Sequence, residues 1–408
     1  MEDKRILLIL PYGGVGGMER LALSFYNHYK KKGYYVKAVK FIKLTSDIIN
    51  FGEDEIFLSD KDYIDMSKSS RLLFNFIAPI KLRSIIKKHK ITHSIAFGDP
   101  PNLYSSITFT NEFKIGSIHA LKSVELSNNS LLSKLTRFGF KYTYKKLDKL
   151  VCISKGIKKD LLDNCDYRGE KNLEVIYNPH DLLEIVNRSE EPLSAEEEEL
   201  LSGNSILFLG RLSTQKSPWH LVKAFSLVLK EVPDAKLIVI GDGDGNVLKH
   251  IEDLIDKLGI KKSITFLGRK SNPYKYLKQV KLLALASHYE GTPNVIVEAI
   301  CLNTPVVSSY CTEGIVELMS LNFYPQQEEN FNVESGIITP NLFKGKLGLP
   351  SNDEFIKEEE QFAEGVLAVL QSGQVEETLN MYREELLDKF NLERVATKYL
   401  ENKHSENF

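Results

Sequence analysis

Four side chains set around two loops invite chemistry on an anionic, hydroxyl-rich molecule. Arg211 and Lys216 stand in Gly210-Arg211-Leu212-Ser213-Thr214-Gln215-Lys216-Ser217-Pro218, and Glu290 and Glu298 in Glu290-Gly291-Thr292-Pro293-Asn294-Val295-Ile296-Val297-Glu298-Ala299. A guanidinium grips an oxyanion by forked hydrogen bonds and an ammonium acts as a point charge, so Arg211 and Lys216 together suit a diphosphate. Ser217 and Pro218 read as the cap and first residue of a helix. Thr292 and Pro293 read the same way, which leaves Glu290 in the loop and puts Glu298 in the second helical turn. The two carboxylates therefore do different jobs. Glu298 can accept hydrogen bonds from vicinal hydroxyls such as those of a ribose, Glu290 can hold a sugar hydroxyl, and the amides of residues 291–295 can meet phosphate.

Two glycine clusters are weaker signals. Gly13-Gly14-Val15-Gly16-Gly17 ends a strand and opens a helix, so the amides of Gly16 and Gly17 can approach an anion; a tight turn explains the same residues. It is not a dinucleotide fingerprint, because Glu19 stands where G-x-G-x-x-G needs its third glycine. Gly241-Asp242-Gly243-Asp244-Gly245 reads as a flexible turn. Asp242 and Asp244 spell D-x-D, yet Arg211 and Lys216 already offer positive charge, so no metal is expected.

The elements that must position these residues form two series of β-branched runs alternating with helical patterns, the mark of parallel α/β sheets. Strands are expected at 5–10, 35–40, 92–97, 114–119, 149–153 and 174–177, then at 205–209, 236–240, 263–267, 281–286 and 305–308. Leu221, Val222, Phe225, Val228 and Leu229 mark one helix face of the second series. The expected organisation is an N-terminal Rossmann-like domain over 1–190, a linker over 191–204, a second Rossmann-like domain over 205–374, and a helical tail over 375–408 that is a candidate to pack back on the first domain. Two doubly wound domains of this kind bind ligands in a cleft at the C-terminal ends of their sheets.

Composition narrows the class. The 408 residues carry 53 basic and 55 acidic side chains, a formal charge of -2, so nothing global points to nucleic acid. The four cysteines lack metal or redox spacing, which fits a reducing compartment, and no stretch approaches the roughly 20 apolar residues of a membrane span. A cytoplasmic protein is expected. Residues 61–160 nevertheless hold nineteen Lys and Arg against seven Asp and Glu. Two segments, 72–90 and 131–150, interleave cations with apolar residues and read as basic helices suited to an anionic membrane surface, or to solvated packing on the sheet.

The ordered set GRLSTQKSP, GDGDG, TFLGR and EGTPNVIVEAICLNTPVVSS over about 204–309 resembles the donor domain of group 1 (family 4) retaining glycosyltransferases of GT-B fold. GGVGGMER, VCISKGIKKDL and VIYNPHDL resemble its acceptor domain more loosely. The resemblance implies an α/β fold of two Rossmann-like domains facing a central cleft. It implies transfer of a hexose or N-acetylhexosamine, with retention and without a metal or cofactor, from a nucleotide sugar, with UDP favoured, to an oligosaccharide acceptor. Lipid-linked acceptors for lipopolysaccharide or capsule are common in that family, which makes peripheral membrane contact an expectation too. By position, Glu290 would contact the transferred sugar, Glu298 the ribose, Arg211 and Lys216 the diphosphate. His119 falls where a histidine facing the donor sugar is common. Gly16, Gly17, Gly210, Arg269, Gly291, Thr292, Pro293, Asn294 and Val295 complete the expected donor site. The chain departs from the pattern at Asn178-Pro179-His180-Asp181 and at Thr312-Glu313-Gly314. An epimerase or phosphorylase on the same fold, or a non-catalytic carbohydrate-binding protein, are the competing readings.

Overall fold

The computed structural model describes residues 4–11, 17–43, 47, 49–59, 66–126, 131–346 and 348–402. The chain divides into two compact units, Met1–His180 with Lys389–Phe408, and Asp181–Asp388.

The first unit is built on β1 (Arg5–Leu10), β2 (Tyr35–Ile42), β3 (Glu55–Ser59), β4 (His93–Phe97), β5 (Phe113–Ile118), β6 (Lys149–Cys152) and β7 (Leu173–Val175), in the order β3-β2-β1-β4-β5-β6-β7. All pairings are parallel. β1 is buried at every position after its first because both faces of a parallel sheet are covered. Ile6, Leu8 and Leu10 meet Phe25 and Tyr29 of helix Gly17–Lys31, while Leu7 and Ile9 share a core with Ala78, Leu82 and Ile86 of helix Lys68–Lys88. Helix Leu392–Leu400 completes the first of these cores: Tyr399 is fully buried, its ring 4.8 Å from that of Phe25, and Tyr29 Oη donates to Ala396 O at 2.9 Å. Each large side chain buried in this way contributes about 1.5–3 kcal/mol.

The second unit repeats the plan with β8 (Ser205–Leu209), β9 (Lys236–Ile240), β10 (Ile264–Gly268), β11 (Leu282–Leu285), β12 (Val306–Ser309), β13 (Phe331–Val333) and β14 (Gly336–Thr339), in the order β10-β9-β8-β11-β12-β14-β13. Only β13 runs antiparallel. The strand order reverses between β8 and β11, so the loops that leave these two strands flank the switch point where such sheets bind ligands. Those loops hold Lys216 and Glu290.

Several expectations need correction. The linker expected over 191–204 lies within the second unit: Ser194 and Glu197 form a reciprocal capping box that starts helix Ala195–Leu201, and the division between units falls at His180. The glutamate run hid that helix, because only Glu197 turns back to cap it. The 375–408 tail is divided as well, helix Gln374–Asp388 belonging to the second unit and the residues from Lys389 to the first. The 131–150 segment is not one helix; helix Leu131–Phe138 passes into a π turn at Gly139–Thr143 and a 3-10 turn at Tyr144–Lys146. Strands β3, β13 and β14 were not anticipated; all are short, and β3 and β13 lie at sheet edges.

The GDGDG segment is not a flexible turn. Gly210 N donates to Ile240 O at 3.0 Å, Leu212 N to Asp242 O at 2.9 Å and Asp244 N to Leu212 O at 2.8 Å, so backbone pairing continues past the ends of β8 and β9. The approach is close enough that a Cβ on Gly241, whose φ is +144°, would lie 1.8 Å from Gly210 O, and one on Gly243 would lie 2.2 Å from Leu212 O. Glycine is required there by backbone contact. Gly241→Ala should cost about 1–3 kcal/mol, read as a lower urea midpoint, whereas Gly245→Ala, with nothing within 4 Å of the added carbon, should leave the midpoint nearly unchanged; equal midpoints for the two variants would contradict the assignment.

Candidate active site

Lys216 and Glu290 come together as an ion pair, Nζ to Oε1 at 2.5 Å, with side chains 15% and 7% exposed. Gly210 makes room for it: Lys216 Cε and Cδ lie 3.5 and 3.8 Å from where a Cβ on Gly210 would stand, so the lysine stem runs across the bare backbone. Glu290 Oε1 also accepts from Ser287 Oγ at 2.7 Å, and Oε2 from Gln215 Nε2 at 3.4 Å. Three further hydrogen bonds fasten the two loops: His288 N to Gln215 O at 2.8 Å, Gln215 Nε2 to Tyr289 O at 3.1 Å, and Ser217 Oγ to Ala286 O at 2.7 Å. That last contact explains why Ser217 does not cap the helix Pro218–Glu231 as its sequence position suggests; its hydroxyl is spent on the opposite loop, and its backbone is left-handed at φ 39°.

The helix Asn294–Cys301 begins one residue later than the sequence implies, with Pro293 as its N-cap and no side chain closing it. Its first amides have no carbonyl one turn back to bond. Beside them, the hydroxyl oxygens of Thr292 and Thr312 are buried without hydrogen-bond partners among the described residues, and a Cβ on Gly314 would come within 2.3 Å of Gly291 O. The Cys311 thiol is pushed well above its ordinary range, first by burial and then by the negative charge of Glu290. The pair thus sits among buried polar groups whose bonding capacity is incompletely used.

Arg211 and Arg269 are exposed on the loops after β8 and β10, and no hydrogen bond or ion pair engages either among the described residues. Glu298 is half-buried in the second turn of its helix, near enough to Cys301 to help raise that thiol to about 11, an effect led by burial. Asp244 is committed to capping helix Gly245–Leu258, accepting from Asn246 N at 2.8 Å. Gln215 and Ser287 were not singled out in the sequence, and Thr312 only as part of a departure from the family pattern; Gln215 lay inside the Arg211–Lys216 segment, but nothing in its spacing told that it would bridge to Glu290.

His119 belongs to the first unit, just past β5, and Gly17 opens that unit's first helix; Gly16 lies outside the described residues. Ser117 Oγ donates to Ala96 O at 2.9 Å and so accepts from His119 Nε2 at 2.8 Å, which leaves Nδ1 without a partner among the described residues. Burial, helped by the Lys122 ammonium, lowers this imidazole to about 3. His119 is therefore neutral at ordinary pH and offers a hydrogen-bond acceptor.

Known proteins can be set beside this geometry. Residues 190–327 match the family model described as glycosyl transferases group 1, and residues 15–183 match that of glycosyltransferase family 4. An uncharacterised glycosyltransferase of Methanocaldococcus jannaschii is 27% identical over 281 residues, covering 68% of each chain. The GalNAc-alpha-(1->4)-GalNAc-alpha-(1->3)-diNAcBac-PP-undecaprenol alpha-1,4-N-acetyl-D-galactosaminyltransferase of Campylobacter jejuni is 27% identical over 326 residues, 78% of this chain and 82% of its own. Among solved structures, HepE of Anabaena in complex with UDP and glucose superposes with a TM-score of 0.70 at 15% identity, over 98% of this chain and all of that one. The fold is of GT-B type.

Three imidazoles give the protein an acid-sensitive stability. Burial is the first cause of lowering for His119, to about 3, and for His180 and His288, each to about 4. With folded values below the ordinary 6.5, the unfolded chain takes up protons first, so stability is highest above pH 6.5 and falls as pH drops from there toward 4. Unfolding near pH 5 should therefore take up about three protons from these groups, read by calorimetry in buffers of different ionisation enthalpy. A melting temperature that does not change between pH 7 and 5 would contradict this.

Proposed function

The chain belongs to the group 1 glycosyltransferases, and on that footing we propose that it moves a hexose or N-acetylhexosamine from a nucleotide diphosphate sugar, with UDP as the nucleotide, to a lipid-linked sugar acceptor with retention at the anomeric carbon. The observation that carries the reading is the Lys216–Glu290 pair at the switch point of the second sheet, beside an uncapped helix N-terminus and unpartnered threonine hydroxyls. Exposed Arg211 and Arg269 add uncommitted positive charge to the same edge of the sheet.

In the proposed reaction the bond from the anomeric carbon to the diphosphate oxygen breaks, and its electron pair leaves with the diphosphate. Arg211, Lys216 and the amides of Asn294 and Val295 stabilise the charge that develops there. The acceptor oxygen bonds to the anomeric carbon on the same face, and its proton passes to the departing phosphate. Glu290 is a poor nucleophile in this setting, since Oε1 is shared by Lys216 and Ser287 and its charge is answered. It serves instead to hold a sugar hydroxyl, while Glu298 accepts from the ribose. Because Asp244 is spent on a helix cap, the cations rather than a metal are assigned to the diphosphate; activity should survive EDTA.

The lipid-linked acceptor is supported by the undecaprenol-linked substrate in the Campylobacter relative's name and by apolar side chains left in water on the first unit. Leu73, Phe76 and Ile80 are 58%, 69% and 67% exposed along helix Lys68–Lys88, with Lys87 and Lys88 exposed in its last turn. Phe138 and Tyr142 are exposed, their rings tilted 5.1 Å apart, with Lys141 over the Tyr142 ring and Lys145 and Lys146 exposed a few residues on. Apolar side chains flanked by cations fit a peripheral contact with an anionic, cytosolic membrane surface in the assembly of a surface polysaccharide.

A panel of UDP-, GDP- and ADP-sugars offered with undecaprenyl-diphosphate-linked sugars tests the whole reading; no release of nucleoside diphosphate from any donor would refute it, and an inverted product would refute retention. Glu290→Gln should lower turnover at least about tenfold, near 1.4 kcal/mol, yet bind UDP as tightly as the parent or more so, because Lys216 is released from its carboxylate. Lys216→Ala should weaken both; unchanged turnover in either variant would remove that residue from the mechanism. The full chain should sediment with anionic vesicles at low salt and leave them at high salt, each Lys or Arg near the surface contributing about 1 kcal/mol. Phe76→Ser with Ile80→Ser should weaken that binding, and failure to sediment at any ionic strength would favour a soluble acceptor.

A further inference from the structure

Behind the Glu290 loop runs a chain of buried polar groups that none of these roles uses. Glu359, in helix Lys357–Gln371, is fully buried; its Oε1 accepts from Lys223 Nζ at 2.7 Å and from His220 Nδ1 at 2.6 Å, and its Oε2 accepts from Ile356 N at 3.0 Å. His220 turns its other nitrogen to His288, Nε2 to Nε2 at 2.9 Å. His288 is 5% exposed and lies between the rings of Trp219, at 5.6 Å, and Phe343, at 5.2 Å; its Nδ1 is buried with no partner among the described residues. Lys223 also donates to Glu354 O at 2.6 Å.

The carboxylate fixes the hydrogens of this chain. Glu359 only accepts, so His220 Nδ1 donates to it, and a single proton then lies between the two facing Nε2 atoms. The contact joins the two loops of the site from beneath. His220 is in the first turn of the helix that follows Lys216, and His288 precedes Glu290 by two residues. The spacing between the Lys216 loop and the Glu290 loop is thus set on one side by the ion pair and on the other by the imidazole contact.

We propose that Glu359, His220 and His288 form a positioning relay that holds the Glu290 loop in register with the Lys216 loop; the proposal rests on the roles given above to Lys216 and Glu290. If the chain served stability alone, an apolar ring of similar size at position 288 would be tolerated, since buried polar pairs add little net stability over well-packed apolar groups. A relay demands a directional donor instead.

The test compares His288→Phe with His288→Gln in the full chain, assaying transfer from the donor that the panel identifies. Gln can still donate an N–H to His220 Nε2. The expected result is a fall in kcat of at least about tenfold for His288→Phe with its melting temperature little changed, and a kcat within about threefold of the parent for His288→Gln. Parent-like kcat in His288→Phe would overturn the relay, as would losses in both variants that simply track their melting temperatures. Glu290→Gln in the same assay separates the two levels: loss there with none in His288→Phe sinks the relay and leaves the function standing. If neither the parent nor any variant transfers sugar, the functional reading fails, and the relay is decided by the 13C titration of the Glu290 carboxyl. A midpoint moved by His288→Phe and not by His288→Gln supports it; an unmoved midpoint overturns it.

Discussion

A carboxylate carried into a half-buried loop must have its charge answered, and at Glu290 the answer is Lys216. Much of the local architecture follows from that demand. The lysine must cross from the neighbouring loop, so β8 and β11 must be adjacent and in register; its stem needs the bare face of Gly210; and the remaining lone pairs of the carboxylate call on Ser287 and Gln215. Breaking a well-buried pair strands the surviving charge at a cost of about 3–5 kcal/mol. An anionic ligand that recruits Lys216 must therefore offer Glu290 a replacement, and a sugar hydroxyl is a suitable one.

The same economy of backbone extends outward. The segments after β8 and β9 touch so closely that side chains are excluded at Gly241 and Gly243, and Gly314 is pressed on Gly291. These contacts leave the loop that carries Arg211 and Lys216 little freedom. In the first unit, His119 shows a related logic: burial keeps the ring neutral, and the hydrogen bond from Nε2 to Ser117 selects the tautomer, leaving Nδ1 without a partner among the described residues.

Periodicity carried most of the fold, because β-branched runs such as Arg5–Leu10 and Lys236–Ile240 are buried on both faces and stand out against amphipathic helices. The first ends of strands and helices were legible to within a residue or two. Glu55–Ser59 and Phe331–Val333 were not, since a short edge strand needs only one neighbour and leaves little imprint on its own sequence. Lys216 and Glu290 were legible as residue types around a sheet edge, but their pairing was not: they are 74 positions apart and meet only through strand order. The glycines of GDGDG illustrate the other limit. Sequence reports that a side chain is missing and cannot say whether the space is given to a ligand or, as here, to another stretch of backbone.

Helix Leu392–Leu400 packs in the first unit although the whole of the second unit precedes it in the chain. Tyr29 and Ala396, joined by a hydrogen bond, are 367 positions apart. During synthesis, the core around Phe25 and Tyr29 thus emerges from the ribosome early and waits, with one apolar face open, until nearly four hundred residues have been made. The second unit is one contiguous stretch, Asp181–Asp388, and waits on no segment made after another unit. The order of translation and the order of completion are therefore opposite, and the interval in between is when the first unit is most exposed to aggregation or to the attention of chaperones.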